Sequence, residues 1–162
     1  MVSPTSVSFI VAISSSAVAI VLAVANVYER YWRERQQTLI HALEYLTGGS
    51  QQRSIGIALI EGLWYKGHPS HRAIIPALTN QAVYLLLETD SKGRHQFLNW
   101  LRIMDLILRV PPEESFHNFY IELIEALDAR AEEDGDAHSG IDISPPTARL
   151  WVKKVREHAG IN

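Results

Sequence analysis

No side chain from Met1 to Tyr28 carries a charge, and within that stretch Phe9 to Val27 reads FIVAISSSAVAIVLAVANV. A helix of about 20 residues rises about 30 Å, the thickness of a bilayer's hydrocarbon core. Ser14, Ser15 and Ser16 dilute the run, but serine hydroxyls can bond back to helix carbonyls and are tolerated in a span. The segment closes on Tyr28, Tyr31 and Trp32 set among Arg30, Arg33 and Arg35. Amphipathic rings at headgroup depth followed by arginines form a membrane interface. The sequence therefore predicts a transmembrane helix over residues 7–28, with residues 1–6 a short N-terminus beyond it.

A cleaved signal peptide is the competing reading. Ala23-Val24-Ala25 has small residues in A-x-A spacing, which would remove residues 1–25, but MVSPTS before the apolar run carries no Lys or Arg. Under the spanning reading, the three arginines lie just after the span and the bias of positive charge toward the cytosol sets the direction. The soluble part is then cytosolic and the N-terminus outside. Under the cleaved reading the domain is secreted.

The chain has 162 residues, room for one domain plus an anchor. Every charged side chain lies at or after Glu29, and a net charge of −3 is too mild to indicate nucleic acid as a partner. There is no cysteine, which excludes disulfides, thiolate catalysis and Cys-ligated metal.

Beyond the anchor the apolar spacing is helical throughout, which predicts an all-α fold of antiparallel hairpins over residues 29–130. A first helix continues to Leu46, with Leu39, Ala42, Leu43 and Leu46 on one face, and Gly48-Gly49 ends it. Further helices are predicted over residues 52–64, 70–87 and 94–108. Pro76 sits awkwardly in the third, so that helix begins near Pro76 or follows a short turn. In the fourth, Phe97, Leu101, Met104 and Leu108 mark the apolar face. Phe116, Phe119, Tyr120, Leu123, Ile124 and Leu127 mark the fifth. Residues 131–146 are acidic and Gly-containing and read as a flexible linker. A basic amphipathic helix over 147–162 follows, with Ser144 as N-cap, Pro145 in its first turn and Gly160 at its end.

The second helix carries the string Arg53-Ser54-Ile55-Gly56-Ile57-Ala58-Leu59-Ile60-Glu61, preceded by Leu46-Thr47-Gly48. It resembles the helical, HEAT-like segment that follows the membrane span in bacterial membrane-anchored pentapeptide-repeat proteins, where a Leu-Gly turn precedes an R-x-G-G-I-x-x-L-E helix. Arg53, Gly56, Ile57 and Glu61 stand in the matching places; Ile55 replaces the first of the paired glycines and Ile60 the leucine. The resemblance covers roughly residues 31–87, and pentapeptide repeats are absent from the remainder. It implies an α-hairpin stack beside a membrane and brings no catalytic residues. From the residues themselves, Gly56 costs about 1 kcal/mol against Ala in a helix, a loss offset if another helix approaches there. Arg53 and Glu61 are too far apart to pair, so each is expected to bond a loop or the adjacent hairpin.

No phosphate loop, nucleophile elbow, dinucleotide fingerprint or zincin motif occurs. His68-x-x-His71 flanks Pro69 with no carboxylate nearby, and Glu114-x-x-His117 is a single copy where a di-iron bundle needs two. His41 and Glu44 form a surface pair. No metal, cofactor or catalytic residue is therefore assigned. The sequence predicts a membrane-tethered helical module that binds a protein partner at the cytosolic surface. The alternative is a small membrane-bound enzyme or metal-dependent sensor that uses scattered histidines and carboxylates.

Overall fold

The computed structural model describes residues 4–64, 71–87, 93–132 and 140–161; for 4–21, 71 and 72 it describes the backbone alone. Every regular element among them is helical. In order they are α1 (Pro4–Leu46), α2 (Ser50–Leu63), α3 (His71–Leu87), α4 (Arg94–Arg109), a 3₁₀ turn (Glu114–Phe116), α5 (His117–Glu132) and α6 (Pro145–Ala159). The chain is all-α.

Two units divide it, Met1–Leu39 and Ile40–Asn162. In the first, the backbone is helical from Pro4 onward, and residues 22–30 are exposed on every side of the helix. Among the described residues no helix is long and apolar enough to cross a membrane. Most of the span predicted over residues 7–28 lies outside them, since the side chains of 7–21 are not described.

The second unit is a set of packed helices. The end of α1 meets α2, α3 meets α4 and α5 meets α6, while α2 also packs on α4 and α3 on α5. Each helix buries one stripe. Ala42 and Leu46 of α1 face inward, as do Ile57 and Ile60 of α2 and Ile75, Leu78, Ala82 and Leu85 of α3. In α5, Tyr120, Leu123, Ile124 and Leu127 recur at i, i+3, i+4 and i+7, the spacing of a single helical face, and all are buried. Each aliphatic side chain so placed contributes about 1.5–3 kcal/mol of burial energy.

Four sequence expectations change. The buried stripe of α4 is Trp100, Ile103, Met104 and Ile107, and Phe97, Leu101 and Leu108 lie only half-buried at its margin. Pro76 neither starts α3 nor follows a turn; it lies inside the helix, where it removes the bond an N–H there would make to the carbonyl of residue 72. Ser144 is the N-cap of α6 by backbone geometry, yet its hydroxyl meets the Thr147 hydroxyl at 2.8 Å instead of a backbone N–H.

The fourth concerns the linker. Residues 133–139 lie outside the described ones, but Gly140, Ile141 and Ile143 are buried. Ile141 N donates to the Leu85 carbonyl (3.0 Å), and its own carbonyl accepts from Arg130 Nη2 (2.7 Å). Gly140 sits at φ +85°, and a Cβ there would run into the Leu86 carbonyl. The segment before α6 is thus pinned to the end of α3 and not a free tether. The composition that signalled flexibility includes the one residue type able to make this turn.

Replacing Gly140 by Ala is expected to destabilise the helical domain by about 1–3 kcal/mol, from left-handed backbone strain plus the clash. Denaturant unfolding of the full chain in detergent, followed by circular dichroism, measures it. Gly93→Ala is the comparison for strain without a clash, because a Cβ at Gly93 meets open space.

Candidate functional site

The C-terminus of α1 leaves carbonyls without intrahelical partners, and Arg53 reaches them from α2. Its Nε donates to the Leu46 carbonyl (3.2 Å) and its Nη2 to the Gly48 carbonyl (3.1 Å). Nη1 donates to Gln96 Oε1 of α4 (2.7 Å). Gln81 of α3 completes the arrangement: with its amide turned to match its neighbours, it donates to the Leu46 carbonyl (2.9 Å) and accepts from Arg53 Nε (3.0 Å). The Tyr84 ring lies 5.7 Å from the guanidinium. Arg53 is only 5% exposed. Burial pushes its guanidinium down from the ordinary value, with Tyr84 opposing.

Gly56, one turn further along α2, is what lets α1 come this close. A Cβ there would lie 2.7 Å from the Ala42 carbonyl oxygen and 3.0 Å from Leu46 N. Ile57 is wholly buried beside it. Further along α2, Glu61 is gripped bidentately by Arg102 of α4, Nε at 3.0 Å and Nη2 at 2.6 Å. The four motif residues do not form one site: Gly56 meets the end of α1, Arg53 reaches both α1 and α4, Ile57 is buried, and Glu61 is held by α4. Between them Ser54 Oγ donates to Asn99 Oδ1 at 2.9 Å. Arg53–Gln96, Ser54–Asn99 and Glu61–Arg102 together form a polar ladder between α2 and α4.

Leu43, Leu46, Thr47, Ala77, Asn80, Gln81 and Tyr84 surround Arg53 in a pocket of about 400 Å³. Neither Gln81 nor Tyr84 stood out in the sequence. Their contribution comes from the α3 register against the end of α1, and no local spacing encodes that.

The interface residues of the first unit form their own chain of contacts. Tyr28 and Trp32 meet edge-on with centroids 5.9 Å apart, and the Arg35 guanidinium lies 4.5 Å over the Tyr31 ring. Arg30 pairs with Glu34 at 3.2 Å and Arg33 with Glu29, both pairs one helical turn long and largely exposed. Such exposed pairs are worth only about 0.3–0.5 kcal/mol, so they exchange readily for other anions. Ala23, Val24, Val27, Tyr28 and Tyr31 line a shallow apolar groove on the same helix.

The metal-like spacings are separate from all this. His68 and the His71 side chain lie outside the described residues. Glu114 sits in the 3₁₀ turn and His117 opens α5, both exposed. His41 Nδ1 lies 3.2 Å from Glu44 Oε2 on the surface. Among the described residues no group of three His, Asp or Glu could hold a metal ion.

On α6, Trp151 packs edge-on against Trp100 (5.4 Å), and Ala148 and Val155 are fully buried. Lys153 and Lys154 stay exposed, and Arg156 reaches Asp128 of α5 at 3.1 Å. The sequence reading missed the seam beneath. The Tyr120 and His158 rings meet edge-on at 5.8 Å, and Tyr120 Oη and His158 Nε2 are buried with no hydrogen-bond partner among the described residues. Burial pushes the His158 imidazole down, a hydrogen bond to the Val110 backbone opposing; burial, with Glu113, pushes the Tyr120 phenol up to about 12.

Set beside known proteins, the chain matches no family model, no curated protein and no solved structure.

The α5–α6 seam predicts a stability window. His158 is held neutral, so its contribution is present above an unfolded value near 6.5 and lost as pH falls through the lower folded value. Tyr120 is held protonated, so its contribution is present below about 10 and lost as pH rises toward about 12. Thermal melts of the full chain across pH should fall off on both sides. His158→Phe is expected to flatten the acid side; an unchanged acid slope in that variant would place the cause elsewhere.

Proposed function

We propose that this chain is a single-pass, membrane-anchored module whose cytosolic stack of HEAT-like hairpins binds a protein partner at the membrane surface. The observation that carries the anchor is the helix segment over residues 22–28. It holds Leu22, Val24, Val27 and Tyr28 at 58–70% exposure, with no face turned to any protein core. An apolar helix exposed all round fits a lipid solvent and not water. The same uncharged run continues back to Phe9, giving enough length to reach across a hydrocarbon core. Arg30, Arg33 and Arg35 follow it directly and favour a cytosolic domain.

The hairpin stack supports the interaction half of the reading. Packing of α2 on α4 and of α3 on α5 follows the alternation of stacked helical repeats, which offer grooves between neighbouring helices to peptides or helices. The likeness of the Arg53–Glu61 string to the helical segment of membrane-anchored pentapeptide-repeat proteins points the same way. A tether confines such a surface near the bilayer and raises its effective concentration toward other membrane proteins.

A full chain with a C-terminal tag tests this reading. The tag is expected to resist protease in intact cells and to be digested after permeabilisation. The protein should stay with the membrane pellet through alkaline carbonate, with Met1 to Ala25 retained on N-terminal sequencing. Release into the carbonate supernatant, or a mature N-terminus just after Ala25, would replace the span with a cleaved leader.

A further inference from the structure

Arg53 carries a full positive charge into the interior of the helical domain, and every group that answers it is neutral. Its acceptors are the Leu46 and Gly48 carbonyls and the side-chain amides of Gln96 and Gln81, with the Tyr84 ring alongside. Among the described residues no carboxylate pairs with it. Those bonds satisfy hydrogen atoms without cancelling charge. A guanidinium has five N–H groups, and the three bonds to Leu46, Gln96 and Gly48 leave one N–H on each terminal nitrogen for a further acceptor.

The space beside it suits a guest. The pocket holds about 400 Å³, within the range of small-molecule sites. Thr47, Asn80 and Gln81 offer polar atoms in its wall, Leu43 and Ala77 offer apolar surface, and Arg53 is the only charged residue among the described ones that line it. Two half-buried arginines elsewhere on the domain are answered by carboxylates, while the buried Arg130 also reaches a neutral acceptor, the Ile141 carbonyl. Arg102 is answered by Glu61 and Arg156 by Asp128.

We propose that the Arg53 pocket binds a carboxylate, carried by a small organic acid or by the free C-terminus of a peptide. One cation in an otherwise neutral pocket balances a monoanion, whereas a phosphate dianion would leave an uncompensated charge. The fork of a guanidinium matches the two oxygens of a carboxylate, and the Leu43, Ala77 and Tyr84 surfaces suit a short aliphatic or peptide tail. This site stands independently of the anchor and of the protein-binding reading above.

The test uses the full chain in lipid nanodiscs and leaves Arg53 itself in place, because that residue also holds the α1–α2 turn. Calorimetric titrations compare butyrate, butyramide, inorganic phosphate and sodium chloride at matched ionic strength. Two further probes are acetyl-Ala-Leu with a free or an amidated C-terminus. Asn80→Asp sets a carboxylate at the pocket wall on an exposed position. The expected result is saturable binding of the acids, with butyramide and the amidated peptide at least about tenfold weaker. Asn80→Asp should weaken the acids by about tenfold or more through like-charge repulsion, at unchanged melting temperature. Tighter binding of the free-acid peptide than of butyrate assigns the peptide terminus, and the reverse order assigns a small acid. Equal responses to butyrate, butyramide and chloride, tighter binding of phosphate than of any carboxylate, or undiminished acid binding by Asn80→Asp would each overturn the proposal.

Discussion

The guanidinium of Arg53 is the point at which four pieces of the domain are tied. It reaches the Leu46 carbonyl at the end of α1, the Gly48 turn, Gln96 on α4 and Gln81 on α3 from one position on α2. Helix ends leave carbonyls that must find donors, and burying them unanswered costs about 1–3 kcal/mol each. A lysine could answer one or two of these acceptors, but not a planar array spread over four segments. The arrangement also depends on Gly56, since only a residue without Cβ lets the α1 backbone approach within reach. The two positions are three apart on α2 and share one helical face, so approach and tie are set by the same register.

From that fixed corner the stack changes character. The α2–α4 contact is lined by the ladder Arg53–Gln96, Ser54–Asn99 and Glu61–Arg102, each rung specific in geometry. The contacts of α3, α5 and α6 are built mainly on Leu78, Leu85, Leu123, Leu127 and Val155, with Arg156–Asp128 at the edge of the α5–α6 seam. Apolar stripes tolerate sliding by a turn at modest cost, whereas hydrogen-bonded rungs do not. The polar end therefore sets alignment and the apolar end supplies most of the burial. Gly140 and Ile141 carry that alignment across to α6 by fixing the approach segment to the end of α3.

The elements themselves were readable because each signal was local. The 3.6-residue spacing from Phe116 to Leu127, the Gly48-Gly49 stop and the Pro145-to-Gly160 frame all lie within one helix or its caps. What failed was relational. The α4 stripe was centred on Leu101 when Trp100 faces inward, because Phe97 and Leu108 are equally apolar and only the neighbours decide between adjacent stripes. Residues 131–146 read as a tether because acidic and glycine content says nothing of Ile141 docking on α3. The Arg53 pocket was half visible: Arg53 stood in the motif, while Gln81, Tyr84 and Gln96 come from helices brought together only by folding.

The exposure pattern of α1 changes along its length. Over residues 22–28 every side chain is exposed and most are apolar, a distribution that would cost free energy in water on all faces. Between Leu39 and Leu46 the pattern narrows to one stripe, with Ala42 and Leu46 buried and His41, Glu44 and Tyr45 outside. The charged and aromatic residues from Glu29 to Arg35 mark the change. Under the proposed membrane anchor, the first pattern would face lipid and the second faces the helical domain. The break in composition falls where the rings and arginines stand, several turns before the helix itself ends at Leu46.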